Sequence, residues 1–152
     1  MSGPETYELF AIRYGSVAGR LRRDNFIIAP DHPADPHDGP MPLDYFVWAI
    51  VNENRTIVVD TGFEYSEAEK RGRKITRLPR DGLEIIGINA DTVEDVIITH
   101  LHYDHAGTLD DFPAARFHLQ ESEMNYATGK HMCHAPFGHA YAADHVCTMV
   151  RR

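Results

Sequence analysis

Apolar and polar positions along the chain predict several short strands before any helix. The run from Tyr7 to Tyr14 is apolar and aromatic with rough alternation, which predicts a first strand. Two further runs, 44–51 and 56–60, are rich in β-branched and aromatic residues and are joined by the polar stretch 52–55. This arrangement predicts a hairpin, and both runs are apolar enough that we expect burial on two faces.

Beyond the hairpin, the pattern alternates between predicted helices and predicted strands. Residues 81–88 predict a short helix, 96–100 a buried strand, and 115–120 a strand with its apolar residues on one face. Helices are also predicted over 121–128 and 140–150. The apolar stripe of the last helix is predicted to consist of Ala143, Val146, Cys147 and Val150. This order indicates an α/β or α+β fold in which helices pack on a sheet.

Length and charge limit the kinds of protein this can be. A chain of 152 residues with 43% hydrophobic content is sufficient for one domain with its own core. The formal net charge of −8 argues against nucleic acid or an anionic membrane as the main partner. The basic stretch 67–80 is therefore interpreted as a solvated face, with nucleic-acid contact as the weaker alternative.

The ends, loops and cysteines give no sign of export. No stretch approaches the ~20 apolar residues of a membrane span. The first ten residues lack the basic start and apolar run of a signal peptide, so we expect a cytoplasmic protein. Residues 30–42 are dense in Pro, Asp and Gly, which predicts an irregular surface loop. Cys133 and Cys147 do not make a disulfide framework.

The stretch THLHYDHAG, from Thr99 to Gly107, concentrates metal-ligand side chains directly after a predicted strand. Residues two apart on an extended chain point to the same side, so His100 and His102 can direct two imidazoles at one point. Leu101 then points the other way, toward the core. Four ligand-type residues within six positions favour a metal site over a casual group of surface histidines.

Asp104 and His105 follow after a turn, at the expected start of the next helix, and could reach a second point a few Å from the first. Neutral imidazoles with a carboxylate suit Zn²⁺ best, and Fe²⁺ or Mn²⁺ also accept this mixture. A helical pairing of His100 with Asp104 is an alternative. The β-branched strand in front and Gly107 behind weaken it.

The same residues carry a resemblance to a known family. THLHYDHAG matches the HxHxDH motif of the metallo-β-lactamase superfamily, and TIVVDTG upstream resembles that superfamily's strand ending in an aspartate. The wider stretch GINADTVEDVIITHLHYDHAGTLDDFPAARFHLQESEM is similar to the N-acyl homoserine lactonase branch. The resemblance is close from Leu43 to Gly129 and looser before it. It implies an αββα sandwich of two similar halves, of which residues 1–152 form the N-terminal half, truncated at the C-terminus.

The resemblance also implies roles for individual residues. His100 and His102 would bind a first divalent metal ion, and Asp104 and His105 a second. Asp60 would lie beneath the metals and orient their ligands through hydrogen bonds. Asp104 would also donate a proton to the leaving alcohol. The implied function is that of a hydrolase that opens a small-molecule lactone or ester with a metal-bound hydroxide.

One departure from the family pattern affects what we expect of this chain. The family's second half supplies a further histidine to each metal and a bridging aspartate. The remaining histidines with that potential are His118, His131, His134, His139 and His145. None lies in the Gly-His-Ser/Thr setting of the family's next ligand. We therefore expect weak metal binding, negligible turnover and self-association from the 152-residue chain alone.

Other interpretations remain open at this point. The DTG of VVDTG, from Val58 to Gly62, is also how an aspartic protease presents its catalytic carboxylate, although that fold leaves the histidines unexplained. The stretch from His131 to His139 could hold a separate metal site, although its ligands are crowded. Within the superfamily, the runner-up is an ester or thioester hydrolase of the glyoxalase II type. A catalytically inactive fragment that binds a metal or a partner is the non-enzyme alternative.

Overall fold

A mixed β-sheet carries the structure, which is a computed structural model describing residues 5–26 and 39–152. Most of the predicted loop 30–42 lies outside these residues. Within them, the sheet has six strands: β1 Glu8–Val17, β2 Leu43–Val51, β3 Thr56–Val59, β4 Lys74–Ile75, β5 Asp95–Ile97 and β6 Arg116–His118. The α-helices of the described ranges are α1 Tyr65–Arg71, α2 Pro79–Ile85, α3 Glu121–Ala127, α4 Ala135–Gly138 and α5 Ala143–Arg151. Four 3-10 helices lie at Arg22–Asp24, Ala90–Thr92, Leu109–Asp111 and Lys130–Cys133.

The strands lie in the order β4-β1-β2-β3-β5-β6. The pairs from β4 to β3 are antiparallel, which includes the predicted hairpin of β2 and β3. Strands β3, β5 and β6 are parallel, with Val58 opposite Val96 and Val96 opposite Phe117. The carboxyl ends of these three strands therefore meet at one edge of the sheet. The predicted α/β or α+β class, in which helices pack on a sheet, is confirmed.

One face of the sheet is buried and the other is not. On β2, Tyr45, Val47 and Ala49 are buried, whereas Phe46 and Trp48 are each 39% exposed. The prediction that residues 44–51 are buried on two faces is therefore wrong, because the described helices pack against only one face. The largest fully buried side chains of the described residues include Phe63, Leu83, Leu101 and Phe112.

The helices follow the sequence pattern in their positions but not always in their buried faces. The helix predicted over 81–88 begins earlier, at Pro79, where a proline loses no backbone hydrogen bond. In α5 the buried residues are Val146 and Met149, while three members of the predicted stripe, Ala143, Cys147 and Val150, are exposed. The helix therefore turns Val146 and Met149 inward, and only Val146 belongs to the predicted stripe. No helix in the two described ranges has the length and apolar character needed to cross a bilayer.

The segment after β5 also differs from the expectation. No helix starts at Asp104; the chain forms a turn in which the amides of His105 and Ala106 both donate to the carbonyl of His102. A 3-10 helix, Leu109–Asp111, follows this turn. Several acceptors outside the segment hold the turn in place, as described below, so it needs no helical hydrogen-bond ladder.

Candidate metal centre

The candidate site lies at the carboxyl edge of the parallel strands. Val59 at the end of β3 pairs with Ile97 at the end of β5, and the amide of Asp60 donates to the carbonyl of Ile97 at 2.8 Å. Asp60 and the histidine segment therefore leave the sheet side by side. Open α/β sheets bind their ligands at this kind of edge.

Three imidazole rings lie together at this edge. The ring of His100 is 4.4 Å from that of His102 and 3.9 Å from that of His105, measured between centroids. Leu101, between the first two, is fully buried. The prediction that His100 and His102 share one side while Leu101 points to the core is confirmed.

Asp104 lies beside His105 on the outer side of the cluster. Its Oδ2 is 3.6 Å from Nε2 of His105, close enough for charge interaction but too long for a hydrogen bond. The backbone carbonyl of Asp104 accepts a hydrogen bond of 2.8 Å from the hydroxyl of Tyr14, a fully buried residue of β1. The turn formed by residues 102–107 is thus tied to strand β1 of the sheet.

Asp60 contacts the cluster from beneath. It is only 4% exposed, and its Oδ1 accepts hydrogen bonds from the amide and the hydroxyl of Thr99, at 2.8 and 2.9 Å. Its Oδ2 lies 2.7 Å from Nδ1 of His105. An ionised carboxylate only accepts, so Nδ1 of His105 donates to it, and in the neutral ring Nε2 is then the nitrogen with the lone pair. The backbone of Asp60 has a positive φ of 62°, a conformation that aspartate tolerates better than most residues.

The pKa values of the three histidines are shifted in different directions. Burial lowers the pKa of His100 and of His102 below the ordinary value. Burial also acts to lower the pKa of His105, but the hydrogen bond and charge of Asp60 and the charge of Asp104 outweigh it and raise that pKa. His100 and His102 are therefore neutral near pH 7, which is the protonation state that binds metals.

The turn formed by residues 102–107 is in direct backbone contact with the turn that follows β3. The amide of Thr61 donates to the carbonyl of His105, and the amide of Gly107 donates to the carbonyl of Gly62, each at 2.7 Å. A Cβ at Gly107 would lie 2.5 Å from the Gly62 oxygen and 2.8 Å from Cα of Phe63. Position 107 therefore requires glycine.

Four residues that contact the cluster or its backbone were not found by sequence reasoning. They are Thr99, Tyr14, Glu123 and Tyr141. Thr99 directly precedes the motif, but nothing in its spacing identifies it as a partner of Asp60. Tyr14 is 90 positions away from Asp104, and Glu123, which accepts from the Leu101 amide at 2.8 Å, is 22 positions away. Only the folded topology brings them to the site.

His145 lies beside the turn, since a Cβ at Gly107 would be 3.0 Å from its Cε1. The other histidines of the described ranges make their side-chain contacts elsewhere. Nε2 of His118 is 2.8 Å from Asp95, at the amino end of β5. His131 and His134 both contact the ring of Phe137, and Nδ1 of His139 lies 3.0 Å from the carbonyl of Pro136. Cys133 is exposed and its thiol donates to the carbonyl of Lys130. The structure gives no support for a separate metal site between residues 131 and 139.

The donor set fits divalent metals by its chemistry but not as a complete site. Neutral imidazoles and carboxylates are the groups that Zn²⁺ and similar ions prefer. Among residues 5–26 and 39–152, however, no three His, Cys, Asp or Glu side chains converge in a way that could hold an ion. A catalytic zinc ion normally keeps at least three protein ligands, which is more than the described residues bring together.

Sequence comparison decides the family. The model of the metallo-beta-lactamase superfamily matches residues 40–142, which include Asp60 and the whole histidine cluster. The chain belongs to the metallo-beta-lactamase superfamily. No curated protein sequence matches it significantly.

Several solved structures share the fold. One is a quorum-quenching N-acyl homoserine lactone lactonase, with a TM-score of 0.66 and 21% identity over 91% of this chain and 52% of its own. An N-acyl homoserine lactone hydrolase with its product at the catalytic metal centre has a TM-score of 0.64 and 18% identity, over 91% of this chain and 55% of its own. A dizinc quorum-quenching lactonase has a TM-score of 0.57 and 17% identity, over 82% and 45%. The chain thus has the metallo-beta-lactamase fold and spans about half the length of these lactonases.

Proposed function

We propose that this chain supplies the strand-end metal ligands of a metal-dependent hydrolase that opens lactone rings. The observation that carries the proposal is the group of three imidazoles at the parallel-strand edge, with His105 held in one tautomer by buried Asp60. A carboxylate behind a histidine is the usual means of orienting a metal-binding imidazole. The similarity in fold to lactonases favours lactones as the substrate class.

The residues would hold two ions in pairs. His100 and His102 would bind the first, and Asp104 and His105 the second, with Zn²⁺ favoured over Fe²⁺ or Mn²⁺. Bound divalent ions polarise a carbonyl oxygen and lower the pKa of water. Because each ion would receive two donors from the described residues, we expect the 152-residue chain alone to bind metal weakly and to turn over negligible substrate.

The chain's own residues would perform the positioning and the proton transfer. Asp60 keeps the proton on Nδ1 of His105 and so leaves Nε2 free to bind. Tyr14 fixes the backbone of Asp104, which limits the positions that its carboxyl group can reach. In lactone hydrolysis, water adds to the carbonyl carbon, the bond from that carbon to the ring oxygen breaks, and the ring oxygen takes up a proton. The carboxylate of Asp104 would take up the proton that the water loses and deliver it to the ring oxygen.

Two alternatives to the proposed function make different predictions. An ester or thioester hydrolase of the glyoxalase II type would use the same ligands on an acyclic substrate. A fragment that binds metal or a partner without catalysis would retain metal binding and have no substrate. The aspartic protease interpretation of VVDTG is disfavoured, since both carboxylate oxygens of Asp60 are engaged by Thr99 and His105.

Calorimetric zinc titration of the purified chain, run beside hydrolysis assays, tests the proposal. We expect detectable zinc binding that His102→Ala sharply reduces, because a ligand is lost. His118→Ala is the matched control, since the His118 ring bonds to Asp95 at the amino end of β5 and its loss should leave zinc binding unchanged. Unchanged zinc stoichiometry in His102→Ala would contradict the assignment.

The substrate class is tested with an N-acyl homoserine lactone and a glutathione thioester, each with and without chelator. Any opening of the lactone should be lost when chelator is present, because the proposed chemistry depends on bound metal. Preference for the thioester would instead support the glyoxalase II alternative. Robust lactone hydrolysis by the 152-residue chain alone would show that the expectation of incomplete ligation is wrong.

A further inference from the structure

One carboxylate oxygen joins two segments beside the proposed metal ligands. Oε1 of Glu123, in the first turn of α3, accepts a hydrogen bond of 2.8 Å from the amide of Leu101. The same oxygen accepts a hydrogen bond of 3.0 Å from the hydroxyl of Tyr141. Leu101 lies between His100 and His102, so Glu123 acts on the backbone that carries both.

The segment that contains Tyr141 runs antiparallel to residues 100–105, which form the ligand segment. His102 and Tyr141 form an isolated β-bridge, and the amide of Tyr103 donates to the carbonyl of Ala140 at 2.8 Å. The ring of Tyr141 stands nearly perpendicular to that of His102, with the centroids 4.8 Å apart. His102 is therefore held at its backbone and against one side of its ring.

Glu123 is suited to hold this arrangement because it accepts two bonds at once. The side chain of Leu101 is fully buried, and a backbone amide beside it is costly to leave without a partner. A carboxylate makes a stronger acceptor than a neutral oxygen for such a donor. Removal of Glu123 would free both the Leu101 amide and the Tyr141 hydroxyl, and the ligand segment would lose one of its fixed points.

We propose that Glu123 is a positioning residue for the metal ligands His100 and His102, with Tyr141 as the second point that its carboxylate fixes. Glu123 acts through the Leu101 backbone and through Tyr141, and does not itself bind metal. This inference rests on the metal-binding role proposed above for the two histidines.

Cobalt titration of the full 152-residue chain, followed by visible absorption, tests the proposal. Glu123→Ala should weaken Co²⁺ binding by about 10-fold, in line with the loss of groups that orient ligands from behind. Glu123→Gln should recover most of that loss, because its amide oxygen can accept both hydrogen bonds. Glu121→Ala is the matched control: it removes an exposed glutamate from the same turn of α3 and should leave Co²⁺ binding unchanged.

Hydrogen exchange of the Leu101 amide, in the absence of metal, gives a second measurement. Exchange at Leu101 should accelerate in Glu123→Ala and stay near the parent rate in Glu123→Gln and Glu121→Ala. Tyr141→Phe removes one of the two donors and keeps the ring, so it should give a smaller loss of Co²⁺ affinity and serves if Glu123→Ala does not fold. A parent that binds no Co²⁺ would overturn the proposed function. If the Leu101 amide still exchanged more slowly in the parent than in Glu123→Ala, Glu123 would nevertheless hold the backbone of the segment.

Three results would overturn the inference itself. They are equal Co²⁺ affinity in the parent and Glu123→Ala, equal losses in Glu123→Ala and Glu121→Ala, and a loss in Glu123→Gln as large as in Glu123→Ala. The last would mean that the charge of Glu123 matters and its acceptor role does not.

Discussion

Oδ2 of Asp60 lies 2.7 Å from Nδ1 of His105, while Oδ1 of the same carboxylate accepts from Thr99. The carboxylate therefore has two tasks: it fixes Thr99, at the start of the histidine segment, and it fixes the His105 ring at the end of that segment. Because the carboxylate can only accept, it selects the His105 tautomer with a free Nε2. A single substitution at Asp60 can therefore distinguish an effect on metal binding from an effect on folding stability.

Asp60→Asn should weaken zinc retention about 10- to 100-fold while changing folding stability less. The asparagine oxygen can still accept from Thr99, but its NH₂ group then faces Nδ1 of His105. That contact favours the opposite tautomer, with the proton on Nε2, which cannot bind metal. Zinc content after dialysis and the urea midpoint of the metal-free protein measure the two effects.

Asp95→Asn is the matched control for that experiment. Asp95 is also buried and also contacts a histidine, since Nε2 of His118 lies 2.8 Å away. Asp95 is the first residue of β5, however, whereas the candidate site follows the last residue of that strand. It should lower stability and leave zinc retention unchanged. If Asp60→Asn retained zinc as well as the parent does, Asp60 would be a turn residue without a role at the site.

Asp95 should also make stability depend on acid pH. Hydrogen bonds from His118 and Arg55, helped by the charge of Arg116, lower the pKa of Asp95 to about 2 from an ordinary 3.8. A carboxyl with a lower pKa in the folded state contributes stability above pH 3.8, and this contribution is lost as the pH falls toward 2. The urea midpoints of the parent and Asp95→Asn should therefore differ at pH 7 and converge near pH 2. A difference that is constant with pH would contradict this.

The uncovered sheet face should cause self-association. Trp48, Val59 and Ile97 lie side by side across β2, β3 and β5, and Phe46 packs near Trp48 with ring centroids 6.3 Å apart. A contiguous exposed apolar surface of this kind favours contact with another surface. Trp48→Thr should shift sedimentation velocity profiles toward the monomer. Tyr65→Ser, which removes an exposed aromatic residue of α1, should not, and equal profiles for parent and Trp48→Thr would contradict the prediction.

A buried histidine of α5 should add a second pH dependence. Burial lowers the pKa of His145, whose side chain is 11% exposed and whose Nδ1 has no hydrogen-bond partner among the described residues. The charged groups around it are Glu64, Glu67, Arg71 and Asp144. A histidine with a lower pKa in the folded state costs stability as the pH falls below its ordinary 6.5, because the unfolded chain takes up the proton more readily. Comparing His145→Leu with the parent from pH 8 to 5.5 should show a gentler loss in the variant, and parallel curves would refute the idea.

The sequence predicted the local parts of the site and missed the long-range ones. The alternation of His100, Leu101 and His102 follows directly from extended backbone geometry, and the structure confirms it. Asp60 was reached only through a resemblance, since no periodicity links it to a histidine 45 positions later. Glu123 was missed because a glutamate in the first turn of a helix is common and its two donors come from other segments.

The errors in the fold have the same physical origin. The sequence of α5 contains two overlapping apolar stripes, and the packing of Val146 and Met149 against the core selects one of them. The composition of β2 suits burial on both faces, but whether the second face is covered depends on what packs there. Neither choice is encoded by local spacing.

The Gly62–Gly107 junction has a consequence for motion. With the Gly107 amide bonded to the Gly62 oxygen and no room for a side chain between them, neither turn can swing outward while the other stays in place. The two turns should therefore open as one cooperative unit. The amides of Thr61 and Gly107 should then exchange their hydrogens with solvent through the same opening event. The segment that carries the ligands would then open only together with the turn that leads to Phe63, so loss of a bound ion and loosening of the aromatic core become a single event.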